Sequence, residues 1–229
     1  MTLKAILWDM DGTLINSEPV HEKAFAEAVA ALGLVIPPDT HDSLLGSSNV
    51  EVHQKLVELT GTALTLDEWR EVKWQYYRDN AAEIKIMPHS RAILDKFTAR
   101  GTPMALVSNS TRDEINLNLA ATQLADYFQV IISRNDVEKG KPAPDPYLAA
   151  AQALSLTAKE CLVVEDSVTG ARAGLAAGMT TLFHPETTAL VAACPDGAVL
   201  LPPGADLMQW LEDNLPSPGQ MFTKKLQRP

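Results

Sequence analysis

A chain of 229 residues can bury one large core or two small ones, and its 46% hydrophobic and 21% charged residues are the proportions of an ordinary globular protein. A formal net charge of -10 argues against a nucleic-acid or anionic-membrane partner, which would want a basic face, but allows a small anionic substrate at one locally positive site. No apolar run approaches a membrane span, and the opening MTLKAILWDMDG is too short and too soon acidic for a secretory leader. Cys161 and Cys194 form no CxxC pair, and Cys161 opens an apolar run as a buried thiol would, so a reducing, cytoplasmic setting is expected.

Leu3 to Trp8 is a short apolar run ending at an acidic turn, the pattern of a buried parallel strand. Ser17-Glu18-Pro19 predicts a helix start with Ser17 as cap, and Val20, Ala24, Phe25, Ala28, Val29 and Leu32 follow at helical spacing up to Gly33. Pro37-Pro38-Asp39 breaks the chain. Asn49 to Leu59 is helical by spacing and ends at Gly61. Thr65-Leu66-Asp67-Glu68 has the form of a capping box before a Trp- and Tyr-rich helix running to about Asn80. Between Asn16 and Met87 the pattern predicts helices and no strand.

After Pro88 the pattern changes. Helices are predicted at Ser90 to Ala99, from Arg112, at Pro146 to Leu154, at Val168 to Ala177 and at Ala205 to Leu211. Strands are predicted at Pro103 to Val107, Gln129 to Ile132, Cys161 to Val164, Thr180 to Phe183 and Ala198 to Leu201. Strands alternating with helices imply an α/β fold, a Rossmann-like core with a parallel sheet and right-handed crossovers, carrying an inserted all-helical domain. The expected division is 1–15 with 88–215 as core, 16–87 as helical insert and 216–229 as a Pro-rich, polar tail expected to be mobile.

Ligands of open α/β sheets bind beyond the carboxyl ends of the strands. There the first strand delivers Asp9-Met10-Asp11-Gly12-Thr13, another Ser108-Asn109, and a later one Glu165-Asp166, with Lys141 in the loop Gly140-Lys141-Pro142-Ala143-Pro144-Asp145. Packed carboxylates repel, so such a cluster wants a cation, and a few hard oxygen ligands favour Mg²⁺. Lys141 and the Ser108 hydroxyl can hold phosphate oxygens. Asp9 can attack phosphorus to give an aspartyl-phosphate, and Asp11 can protonate the leaving alcohol and later activate water.

The set DMDGT, VSNS, KPAPD and VVEDS resembles the four motifs of the haloacid dehalogenase-like hydrolase superfamily. DMDGTLINSEPVH, the helical insert at that place and KPAPD together resemble its beta-phosphoglucomutase-like branch, from about Ala5 to Phe183. The resemblance implies a helical cap over the site. It implies Mg²⁺ held by the Asp9 side chain, the Asp11 backbone carbonyl and Asp166, with Glu165 nearby or acting through water. Ser108 and Lys141 are implied as phosphate ligands, with Asn109 beside them.

Each residue also has a plainer role. The D-x-D pair could be turn chemistry, Glu165-Asp166 and Ser108-Asn109 could cap the helices that follow, and Lys141 could be a loop lysine. His21, ten residues past Asp11, is either a surface histidine or, as in several relatives, a contact to substrate or to the acid/base aspartate. Lys73 reads better as a solvated helix lysine than as a cap lysine of the mutases. Gly46-Ser47-Ser48-Asn49 lies in the loop where this branch reads its substrate, making Asn49 a candidate contact, and the arginine that sugar-phosphate mutases carry nearby is missing. The Trp and Tyr residues of the insert are expected mainly in its core.

The expectation is thus a Mg²⁺-dependent phosphatase on a small phosphomonoester, most simply a sugar phosphate. The alternatives are a sugar-phosphate mutase of the beta-phosphoglucomutase type and a non-catalytic phosphometabolite-binding module. A dehalogenase would not be expected to keep Asp11, and a phosphonate-cleaving enzyme would replace it. The expected partner is a small phosphorylated metabolite, with no nucleic acid and no membrane; the sequence leaves the oligomeric state open and allows a monomer.

Overall fold

The structure, a computed structural model, describes residues 2–44 and 49–215, with only the backbone of His41, Asp42 and Asn49. In chain order the elements are β1 (Ala5–Trp8), β2 (Ile15–Asn16), α1 (Glu18–Ala31), α2 (Thr40–Ser43), α3 (Asn49–Thr60), α4 (Leu66–Asn80), β3 (Lys85–Ile86), α5 (Ser90–Ala99), β4 (Met104–Val107), α6 (Arg112–Thr122), β5 (Val130–Ile132), α7 (Asp145–Ala153), β6 (Cys161–Glu165), α8 (Val168–Ala176), β7 (Thr180–Phe183), β8 (Val199–Leu200) and α9 (Leu207–Asn214). The chain divides into two units, Met1–Asn16 with Lys85–Pro229 and Ser17–Ile84. The predicted tail, 216–229, lies outside the described residues.

The first unit is built on a sheet of order β5-β4-β1-β6-β7-β8, with every neighbouring pair parallel. Its central strands β1, β4 and β6 are buried at every residue, which is why they read as continuous apolar runs rather than alternating ones. Leu7, Ala105, Val107 and Val163 pack with Tyr147, Ala150 and Ala173 from α7 and α8 in one core cluster. The register sets Trp8 beside Leu106 of β4 and Val164 of β6, so the residues just past these strands emerge side by side.

The second unit closes around Phe25, Val52, Leu56 and Trp69, from α1, α3 and α4. Phe25 meets Trp69 edge-on, with ring centroids 5.6 Å apart. The capping box at the start of α4 is formed: the Glu68 amide donates to the Thr65 hydroxyl at 3.3 Å and the Thr65 amide to the Glu68 carboxylate at 2.8 Å.

Three local expectations are corrected. Ser17 makes no side-chain cap bond to α1; Pro19 in the first turn sets the entry instead. The helix after β6 is capped by the Ser167 hydroxyl, which accepts from the Gly170 amide at 3.0 Å, and the helix after β4 by Thr111, so neither Glu165-Asp166 nor Ser108-Asn109 is spent as a cap. The stretch expected to hold no strand carries one: Asn16 and Lys85 pair, as do Ile15 and Ile86, in a two-residue antiparallel ladder at the joints of the helical unit. Two residues are too few to show a period of two.

Candidate active site

Asp9 follows β1, continuing the ladder through its amide to the Val164 carbonyl at 3.1 Å. The chain then turns sharply, with the Leu14 and Ile15 amides both donating to the Met10 carbonyl. Met10 is fully buried and anchors the turn, while Asp9 and Asp11 flank it. Gly12 has φ +83°, and a Cβ there would lie 2.3 Å from Asp166 Oδ2, so glycine serves both the backbone and the neighbouring carboxylate. Thr13 donates to Asp166 Oδ1 at 3.1 Å, tying the first motif to the last.

Lys141 is almost fully buried, and its ammonium sits at the centre of the cluster. It donates to Asp9 Oδ1 at 2.5 Å, to Glu165 Oε1 at 2.6 Å and to the Val107 carbonyl at 2.8 Å. Carboxylate oxygens of Asp9, Glu165 and Asp166 all lie within 4.8 Å of one another. Burial, then the charge of Glu165, pushes the Asp9 carboxyl well above its usual range against the pull of Lys141. The same causes push Asp166 up to about 7. Burial alone would lower the Lys141 pKa, but the flanking Asp9 and Glu165 carboxylates outweigh it and hold the ammonium above its ordinary value.

One ammonium thus faces three carboxylates, and the surplus negative charge is of the kind a bound cation relieves. The donor set, all hard carboxylate oxygens with Asp11 close in sequence, fits Mg²⁺.

The other expected residues fall into distinct places. Ser108 is buried, and its hydroxyl accepts from the Ser110 amide at 3.0 Å. Asp11 Oδ2 accepts from the Ser110 hydroxyl at 3.3 Å. Asn109, expected beside phosphate, uses both ends of its side-chain amide on the Lys141 backbone: Nδ2 donates to the carbonyl at 3.1 Å and Oδ1 accepts from the amide at 2.8 Å. Glu165 is fully buried and engaged at both oxygens, Oε1 by Lys141 and Tyr147 and Oε2 by the Ser167 hydroxyl at 3.0 Å.

In the helical unit, His21 stacks on Tyr77 with ring centroids 4.3 Å apart, and Lys73 lies on α4. Trp69 and Tyr77 are buried, as expected of aromatic residues there. The Asn49 side chain and Gly46 to Ser48 lie outside the described residues.

Ser110, Thr13, Tyr147 and Ser167 were not singled out as site residues from sequence. Thr13, Ser110 and Ser167 stand inside the quoted motifs DMDGT, VSNS and VVEDS and carried that much signal; the contact of Tyr147 to Glu165 follows only from the fold. A cavity of about 700 Å³ is lined by Gly12, Thr13, Met87, His89, His184 and Asp206 among others; Asp9 and Lys141 are not among its walls.

Residues 6–184 match the family described as haloacid dehalogenase-like hydrolase. Protein CbbY of Rhodobacter capsulatus is 32% identical over 196 residues, covering 81% of this chain and 86% of that protein. Fructose-1-phosphate phosphatase YqaB of Escherichia coli is 30% identical over 174 residues, covering 76% of this chain and 92% of that one. Among solved structures, one described as a candidate beta-phosphoglucomutase of Thermotoga maritima superposes with a TM-score of 0.80 at 25% identity, covering 93% of this chain and all of that one.

Proposed function

This chain belongs to the haloacid dehalogenase-like hydrolase family, akin to its beta-phosphoglucomutase-like branch, and we propose that it is a Mg²⁺-dependent phosphatase of small phosphorylated sugars acting through an aspartyl-phosphate on Asp9. The observation that carries the proposal is the crowding of Asp9, Glu165 and Asp166 around Lys141 at the carboxyl ends of β1 and β6. The names of the relatives support the substrate class: one is a phosphatase of fructose 1-phosphate.

In this mechanism Asp9, the Asp11 backbone and Asp166 hold the metal, with Glu165 beside them. Bound there, Mg²⁺ supplies positive charge that lets a phosphoryl group approach a carboxylate. Lys141 and the Ser108 hydroxyl hold the phosphate oxygens. An Asp9 carboxylate oxygen forms a bond to phosphorus as the bond to the sugar oxygen breaks, and the protonated carboxyl of Asp11 gives its proton to that oxygen, releasing the alcohol. Asp11, now a carboxylate, takes a proton from water as the water oxygen bonds to phosphorus. The bond to Asp9 breaks, returning its carboxylate and freeing orthophosphate. The Ser110 hydroxyl, which donates to Asp11 Oδ2 at 3.3 Å, would hold that carboxyl in one orientation for these transfers. Residues 17–84 are, in this proposal, the cap that selects the leaving group, with His21, Lys73 and Asn49 as candidate contacts.

A second reading, sugar-phosphate mutase, draws on the likeness to the Thermotoga maritima structure. It would return the phosphoryl group from Asp9 to the sugar instead of to water. Orthophosphate release from a panel of sugar phosphates, with Mg²⁺ and with chelator, tests the proposal. Isomerisation of a sugar 1-phosphate without phosphate release would replace the phosphatase by the mutase.

A further inference from the structure

The ammonium of Lys141 donates to two carboxylates, Asp9 and Glu165, so its place depends on how each of them is held. Glu165 Oε1 accepts from Lys141 at 2.6 Å and Asp9 Oδ1 at 2.5 Å. Tyr147, fully buried in the first turn of α7, donates from its hydroxyl to the same Oε1 at 2.6 Å. The Tyr147 ring also lies beneath the ammonium, with Nζ 4.9 Å from the ring centroid. The other oxygen, Oε2, is taken by Ser167. No group in the phosphoryl-transfer chemistry proposed above is Tyr147, yet a buried phenol is placed where it divides the charge of one carboxylate oxygen with the lysine.

We propose that Tyr147 is a positioning residue: its hydroxyl, by donating to Glu165 Oε1, fixes that carboxylate, so that Lys141, which donates to the same oxygen, stays in place to bind the transferring phosphoryl group. The effect rests on the phosphotransfer function proposed above and on the geometry of the four side chains. Hydrogen bonds to charged groups are among the stronger ones a protein makes, and in this buried setting the loss of one donor shifts Oε1 fully onto Lys141. The Asn109 clamp on the Lys141 backbone holds the lysine's root, so the disturbance is confined to the ammonium end.

The test is Tyr147→Phe, which keeps the ring under Lys141 and removes only the hydroxyl, measured alone and combined with Glu165→Gln. For Tyr147→Phe the expected result is kcat lower by about tenfold and orthophosphate, added with Mg²⁺, bound severalfold more weakly. In the Glu165→Gln background the same exchange should add little, because the carboxylate that Tyr147 holds is gone. A purely structural role would lower Tm and leave kcat and phosphate affinity per folded molecule as in the parent. That result, or a full and additive loss in the Glu165→Gln background, overturns the proposal. Should the double variant not fold, the kcat and phosphate readings of Tyr147→Phe decide. If the parent chain releases no phosphate from any sugar phosphate, the phosphatase reading fails by itself, and the ratio of orthophosphate affinities between parent and Tyr147→Phe still decides the role of Tyr147.

Discussion

Gly170→Ala sets two effects of opposite sign against each other at one buried carbon. Gly170 lies in the first turn of α8, and in a helix an exchange of glycine for alanine by itself stabilises by about 1 kcal/mol. Here the new Cβ would lie 1.7 Å from Glu165 Oε1 and 1.9 Å from its Cδ, far inside contact, so the carboxylate must move. It cannot move without losing donors, since Lys141, Tyr147 and Ser167 all hold it. Breaking a buried, paired charge in this way costs about 3–5 kcal/mol. The helix gain offsets a minor part, leaving a net loss of about 2–4 kcal/mol. At roughly 2–4 °C per kcal/mol for a chain of this size, Tm should fall by about 4–16 °C. Because Glu165 moves with Lys141 attached, turnover at 20 °C should also drop, by about a hundredfold. Thermal unfolding and initial rates on the same preparation check both. A Gly170→Ala protein with raised Tm and unchanged rate would refute the account of Glu165 as a pinned, fully engaged carboxylate.

Asp11→Ala should abolish nearly all turnover while orthophosphate binding with Mg²⁺ stays close to the parent's; unchanged turnover would remove Asp11 from the proton transfers. Asp166 stands at about 7 rather than 3.8, so the metal-free fold loses stability as pH rises through that interval, and a cation must displace a proton from Asp166 below pH 7. Apparent Mg²⁺ affinity should therefore be about tenfold weaker at pH 6 than at pH 8, and the Mg²⁺-induced rise in Tm smaller; equal affinity at both would contradict the raised carboxyl. Thr65→Ala removes the capping box of α4 and should cost about 1 kcal/mol of stability, read by denaturant unfolding, with the rate per folded molecule unchanged.

The framework of the fold was legible where an element is long enough to show its period or buried enough to be wholly apolar. α5 and β7 lie at the predicted residues, Ser90 to Ala99 and Thr180 to Phe183, and β1, β4 and β6 differ from the predicted spans by one or two residues. β2 and β3 were not legible, because their pairing joins Ile15 to Ile86 across the whole helical unit. At the site, the carboxylates that meet in the structure are those that end strands in the sequence: Asp9, Glu165 and Asp166. What each one touches was less visible. Asn109 stands by position beside phosphate, and nothing along the chain shows that its side-chain amide also pairs with the N–H and C=O of Lys141, 32 residues on. Tyr147 resembles any apolar residue of α7 until Glu165 is found beside its hydroxyl. Such partnerships depend on how helices pack on the sheet, which spacing along the chain does not encode.

The most direct test of the central claim is orthophosphate release from a panel of sugar phosphates by the parent chain and by Asp9→Asn, each with Mg²⁺ and with chelator. Release by the parent that needs Mg²⁺ and disappears in Asp9→Asn, with Tm and fold retained, is the predicted result. Undiminished release by Asp9→Asn would contradict an aspartyl-phosphate on Asp9 and, with it, the mechanism.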